Sequence, residues 1–353
     1  MLKSCLLFSV LILFAIHPAI AEDTGNIKTV KVLPLPAFGY SPETSTYIGA
    51  VSLFTFNFNK DSISRQSNAK IEFNYTWRKQ VILDCGWNLF SENEAWFSKG
   101  QIVYSRFPDL YYGIGTATAD AGRVTYNSNR FMFDVSILKQ IRFKIFTGIN
   151  LKYTAYWKVR PLNSDTLYYT ELRSCQSYGI GYAVLKDSRN NILTPLKGMY
   201  TNIAATCNFS EHRYLKLTLD LRSYKTWNDK YTMAARIIND FTLGDPPFFD
   251  YSVLGGDKFV RGYYFGRYRD KNLSSLQTEF RLPLFRRFGL AVFGGVSRLY
   301  PDLQRLIVSS SMFNGGLGLR FVVDKTDKTS LRIDYALGSK NNNGFYVSFG
   351  ESF

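Results

Sequence analysis

Histidine is almost missing and cysteine is scarce, with two and four copies among 353 residues. Beyond the first 21 positions only His212, Cys85, Cys175 and Cys207 remain. One histidine excludes a His-rich zinc centre and undercuts a Ser-His-Asp hydrolase. His212 stands in the polar turn Ser210-Glu211-His212-Arg213, where a solvated loop residue is the simpler reading. Three widely spaced cysteines make neither a disulfide framework nor a metal knot, so no metal and no cofactor are expected. Long apolar runs are absent as well. Past the N-terminus no segment approaches roughly eighteen consecutive apolar residues, which excludes a helical membrane span. Basic runs are also lacking. The formal charge is +15, but Lys and Arg are scattered singly through alternating segments, which argues against a nucleic-acid partner. Positive residues placed this way suit a polar interior, or the anionic groups of outer-membrane lipid and lipopolysaccharide.

What is abundant is aromatic and apolar: 29 Phe, 24 Tyr and 5 Trp, within a 46% hydrophobic chain that is too apolar to be disordered. Lys3, the apolar run Leu6 to Ile16 and the small-x-small site Ala19-Ile20-Ala21 read as a secretory signal peptide over 1–21. Glu22 is then the expected first mature residue. Positions 22–32 are expected to be a short periplasmic segment and 33–353 the folded domain.

The apolar residues recur with period two almost throughout. Leu215, Leu217, Leu219 and Leu221 alternate with Lys216, Thr218, Asp220 and Arg222. Leu331, Ile333, Tyr335 and Leu337 alternate with Arg332 and Asp334 in the same way. Such strands have one apolar and one charged face. A soluble sandwich would bury the apolar faces against each other. A transmembrane barrel would turn them to lipid. Segments of about ten residues suit a tilted span. The charged faces, such as Gln277, Glu279 and Arg281, and aromatics near strand ends also favour the barrel. The expected strands are 33–40, 45–59, 69–77, 80–90, 96–107, 124–139, 142–156, 174–186, 199–209, 213–227, 229–242, 274–283, 287–298, 313–323, 329–338 and 344–353. The fold class is therefore an all-β, 16-stranded antiparallel transmembrane barrel. An even count puts both ends on the periplasmic side, with the longer connections extracellular. By this parity the long connections 108–123, 157–173 and 243–273 are expected outside, and 299–312 on the periplasmic side.

The connection from Thr242 to Asn272 is too long to be a simple turn. It reads Leu254-Gly255-Gly256-Asp257-Lys258-Phe259-Val260-Arg261-Gly262-Tyr263. Spacing alone leaves open a plain surface loop, and no helix follows to complete a phosphate cradle. Val260-Arg261-Gly262-Tyr263 after Gly255-Gly256 resembles the loop-six signature of BamA/TamA-type barrels, the bacterial surface antigen family. Gln277-Thr278-Glu279-Phe280-Arg281-Leu282 resembles that family's strand with an inward Glu. Asp187-Ser188-Arg189-Asn190-Asn191 with Pro195 and Gly198 resembles its Asp-x-Arg turn. Pro36 to Pro42, Phe107-Pro108-Asp109 and Tyr112-Gly113-Ile114-Gly115 are similar to members of the group. The resemblance covers about 33–353.

It implies an inward-folded long loop in which Arg261 pairs with acidic residues on following strands. The next strand, Leu290 to Val296, has no carboxylate, which leaves Glu279 as the main expected partner. The terminal strand, with Phe349, Gly350 and Phe353, resembles the family's insertion signal. Phe353 is expected to continue the outward file Phe345, Val347, Phe349. Assembly factors of the family carry periplasmic POTRA domains, and Glu22 to Val32 is too short for one, so this member is expected to lack them. Pro34 and Pro36 on the first strand, with Gly350 on the last, imply a weak seam like the family's lateral gate. Alternatively the two prolines merely end a linker. The resemblance implies an accessory role in inserting or exporting outer-membrane proteins, with an assembly complex or unfolded barrel clients as partners. The alternative is a passive pore or solute channel. An outer-membrane enzyme is disfavoured by the lone His212.

Overall fold

A computed structural model describes residues 30–56, 65–162, 169–192, 194–228, 230–323 and 330–353. The expected signal peptide 1–21, positions 22–29, and the strand ends 57–59, 229 and 329 lie outside the described residues. The strands are β1 Lys31–Ser41, β2 Ser45–Phe56, β3 Ser67–Thr76, β4 Val81–Phe90, β5 Trp96–Tyr111 and β6 Val124–Arg142. They continue as β7 Ile145–Pro161, β8 Cys175–Asp187, β9 Gly198–Phe209, β10 Arg213–Trp227, β11 Tyr231–Gly244, β12 Ser252–Leu254 and β13 Tyr268–Asp270. The last are β14 Asn272–Pro283, β15 Phe288–Tyr300, β16 Met312–Val322, β17 Ser330–Gly338 and β18 Asn343–Phe349.

Sixteen of these close into an antiparallel barrel, each paired with its neighbours in chain order, with β11 beside β14 and β18 beside β1. β12 and β13 form a separate two-stranded hairpin within the connection from β11 to β14. No helix is long and apolar enough to cross a membrane.

Burial is inverted relative to a water-soluble protein. Ile48, Tyr182 and Leu317 on the outer faces are each more than half exposed, whereas Glu279 and Asp334 have no exposed surface and Arg332 has 1%. Lipid contact makes the outer file favourable, and confinement of the charged file demands pairing. Apolar packing is concentrated at the two ends. Phe90, Phe97, Leu138, Phe146 and Leu185 cluster at one end. Leu254, Val260, Tyr263, Leu273 and Leu299 cluster at the other.

Three expectations are corrected. The connection 299–312 follows the thirteenth barrel strand, β15, so it lies at the same end as the other long connections. The last strand stops at Phe349, because Gly350 adopts φ +79° and turns the chain off the ladder. Phe353 therefore leaves the outward file and is buried against Tyr224 and Ala234. β5 and β7 run up to five residues past the expected ends, to Tyr111 and Pro161, and raise one wall at the rim of the long connections, while β6 runs on to Arg142 at the other rim.

Candidate functional site

Arg261 is 3% exposed. Its Nη2 donates to Glu279 Oε2 at 2.5 Å, and its Nη1 donates to Asp334 Oδ2 at 2.5 Å. The guanidinium carbon sits 3.4 Å from the centre of the Phe293 ring. A planar fork between two carboxylates and over an aromatic face is a geometry that Lys could not reproduce. Glu279 projects from β14 on the face shared with Gln277 and Arg281, while Leu276 on the opposite face is exposed. The expectation of a single main partner is corrected: Asp334, on β17, is the second. It was visible in the sequence as part of the charged file beside Arg332, but nothing local tied it to Arg261.

The pair belongs to a larger network. Arg281 Nε donates to Glu279 Oε1 at 2.7 Å, and Arg320 Nη1 donates to Asp334 Oδ1 at 2.6 Å. Arg320 Nε reaches Glu351 Oε2 at 3.0 Å, and Arg332 Nη2 reaches Asp257 Oδ2 at 3.1 Å. Four guanidiniums thus face four carboxylates. Charge balance and dense hydrogen bonding offset the cost of removing these groups from water.

The residues around Arg261 fix its approach. Val260 has no exposed surface and packs in the cluster with Leu254, Tyr263 and Met312. Gly262 has φ +101°, and a Cβ there would lie 2.9 Å from the Leu337 backbone. Its N–H donates to the Tyr346 hydroxyl at 2.9 Å. Tyr263 Oη donates to the Phe313 carbonyl at 2.6 Å. Further along the connection, Tyr264 Oη donates to Asp109 at 2.8 Å and the Phe265 N–H donates to Glu43 Oε1 at 2.6 Å. Asp109 lies in the Phe-Pro-Asp motif, and Glu43 lies just past Pro42. Glu43, in the turn between β1 and β2, is buried. Burial pushes its carboxyl up to about 6, against the pull of the Ser41 and Phe265 hydrogen bonds. Sequence reasoning missed Glu43, whose only signal was its place beside the Pro36 to Pro42 motif.

The tail and the far mouth join the same network. Arg281 Nη2 donates to the Phe353 carbonyl at 3.0 Å, and Ser352 Oγ donates to the Asp257 carbonyl at 3.0 Å. At the mouth, Arg189 Nη2 meets Asp187 Oδ2 at 2.9 Å, and Asn190 Oδ1 accepts from the N–H groups of Leu196 and Lys197. Arg281 Nη1 donates to the Pro195 carbonyl at 3.3 Å. The Asp187 to Gly198 turn is thereby strapped to β14.

Between β1 and β18 the ladder is one residue pair, Tyr40 opposite Val347, whereas β1 and β2 pair along the whole of β1. Pro34 and Pro36 lie inside β1, opposite Ser52 and Ala50, in the part that has no ladder to β18. Having no N–H, they suit an edge. Two ring contacts bridge the seam instead: Phe38 to Phe349 at 5.9 Å and Tyr40 to Phe345 at 5.7 Å. A cavity of about 930 Å³ lies behind the seam, lined in part by Lys70, Glu72, Asp84, Lys258 and Ser348. His212 is exposed in the turn between β9 and β10, away from these groups. Among the described residues no cluster of three or more His, Cys, Asp or Glu could hold a metal ion.

A family model described as the Omp85 superfamily domain matches residues 48–353. No curated protein matches the chain. Among solved structures, BamA from Haemophilus ducreyi lacking POTRA domains 1–3 is similar, with TM-score 0.60, 12% identity, and 95% of this chain and 74% of that one covered. CdiB from Acinetobacter baumannii gives TM-score 0.56, 13% identity, and 92% and 66% coverage. CdiB from Escherichia coli gives 0.57, 11%, and 91% and 67%. At these identities the likeness shows the fold.

Proposed function

Since the chain belongs to the Omp85 superfamily, we propose that it is an outer-membrane barrel with an accessory role in inserting or exporting other outer-membrane proteins. The observation that carries this reading is the seam, where one ladder pair and two ring contacts hold β1 to β18. Every other junction of the barrel has a ladder of at least seven pairs. A sheet opens where its ladder is shortest, and an opened edge offers unpaired N–H and C=O groups to an incoming strand. In this reading the Val260 to Tyr263 segment is a plug folded into the lumen, and Arg261, Glu279 and Asp334 keep it there. Phe349, Gly350 and Phe353 serve as the insertion signal of the chain itself. Its partners are unfolded barrel clients or an outer-membrane assembly complex.

The test is the folding rate of an unfolded barrel client into liposomes with and without the purified protein. Acceleration supports the reading, and an unchanged rate refutes it. The 930 Å³ cavity, with Lys70, Glu72, Asp84 and Lys258 in its lining, favours a second reading, a solute pore. That reading requires steady conductance in planar bilayers without any client, whereas a plugged barrel gives little.

A further inference from the structure

At the rim carrying the long connections, some cations are paired, Lys271 with Asp245 at 2.7 Å and Arg173 with Glu211. At the rim carrying β1's start and β18's end, Arg142, Lys144, Lys225, Lys230, Arg286 and Arg287 have no carboxylate partner among the described residues. Each short turn here also presents aromatics. Phe143 is 76% exposed, with the Lys144 ammonium 5.0 Å from its ring centre. The Lys225 ammonium lies 5.3 Å from the Trp227 ring centre. Phe285, 63% exposed, packs on Phe288 at 5.1 Å, and Phe288 packs on Phe321 at 5.1 Å. Beneath the turn holding Arg286 and Arg287 is a cavity of about 350 Å³, lined also by Lys230, Arg281, Arg320 and Glu351. Arg281 and Arg320 are neutralised by Glu279, Asp334 and Glu351. Lys230, Arg286 and Arg287 supply uncompensated positive charge.

We propose that this rim binds anionic phospholipid headgroups of the periplasmic leaflet, and that the cavity under Arg286 and Arg287 is its most built site for a lipid phosphate. Exposed aromatics occupy the interfacial level, and cations beside them reach the headgroups. Clustered Lys and Arg at a membrane surface favour anionic over zwitterionic lipid. The proposal rests on the orientation in the functional reading above. Its test needs no client, so its failure is separable from failure of the insertion reading.

The full chain is equilibrated in micelles holding equal phosphatidylglycerol and phosphatidylcholine, recovered, and its retained lipids are measured by mass spectrometry. The protein should enrich phosphatidylglycerol. In Lys230→Gln/Arg286→Gln/Arg287→Gln the enrichment should fall about fivefold per cation removed, until it reaches parity. Arg173→Gln/Lys271→Gln on the other rim should leave it unchanged. Heat-modifiable migration reports folding, and if the triple variant fails it, Arg286→Gln alone must still show the fall. Persistence of the enrichment in excess inorganic phosphate supports a lipid site. Its abolition would mark a free-phosphate site and overturn the proposal. Equal retention of both lipids, or undiminished enrichment in the variants, would overturn it too.

Discussion

Asp334 stands 73 positions after Arg261, yet its carboxylate accepts from the Arg261 guanidinium at 2.5 Å, as Glu279 does from the other side. The Val260 to Tyr263 segment is thus held by two strands, β14 and β17, that are not neighbours in the sheet. Either carboxylate alone keeps Arg261 partly paired.

This double grip sets the order of a mutant series. Arg261→Ala should cost about 3–5 kcal/mol, as does removal of one partner from a buried ion pair. Glu279→Gln and Asp334→Asn should each cost less than Arg261→Ala, because one carboxylate remains. The double variant should approach it, since the three share one network. Urea unfolding followed by heat-modifiable migration measures the series. Equal losses for both single carboxylate variants and Arg261→Ala would show that one partner alone does not hold the guanidinium.

Gly262 tests the backbone rather than the charge. Its φ of +101° and the 2.9 Å approach to Leu337 leave no room for a Cβ. Gly262→Ala should cost on the order of 1–3 kcal/mol and expose the segment, with trypsin cleaving after Lys258 or Arg261 in folded protein. Unchanged resistance would contradict this.

Much of this was legible in the sequence. Period-two alternation marks each barrel strand, because a half-lipid, half-lumen strand can have no other pattern. Arg261 was legible only through the resemblance of its motif to a known loop, and Glu279 through that resemblance and its phase on β14. Asp334 was not, because its nearness depends on the curvature of the closed sheet. Alternation alone places Phe353 on the outward face, because it cannot reveal that Gly350 turns the chain. The cavities arise from many strands at once and have no local signal.

Glu43 predicts a pH dependence. Its folded-state value of about 6 lies above the ordinary 4.5. A raised carboxyl stabilises the fold fully below about 4.5, and that contribution is lost as pH rises through 6. The difference is about 2 kcal/mol. The melting temperature should therefore fall between pH 4.5 and 7, and Glu43→Gln should flatten that fall while raising the value at pH 7. A variant with the wild-type pH profile would exclude Glu43 as its source.

Phe353 anchors the tail through Tyr224, Ala234 and the Arg281 bond to its carbonyl. Phe353→Ala should cost about 3 kcal/mol, near the low end for a buried aromatic. Deleting the residue should also lower the folded amount in outer membranes, because in the proposed reading Phe353 belongs to the insertion signal. Normal folded levels after deletion would count against both roles.

The most direct measurement concerns the seam. Tyr40→Cys and Val347→Cys, with Cys85, Cys175 and Cys207 replaced by Ser, place a disulfide at the only ladder pair between β1 and β18 among the described residues. Client folding into liposomes should stop in the oxidised protein and return on reduction, with bilayer conductance low in both states. Equal client folding in the oxidised and reduced forms would contradict the account.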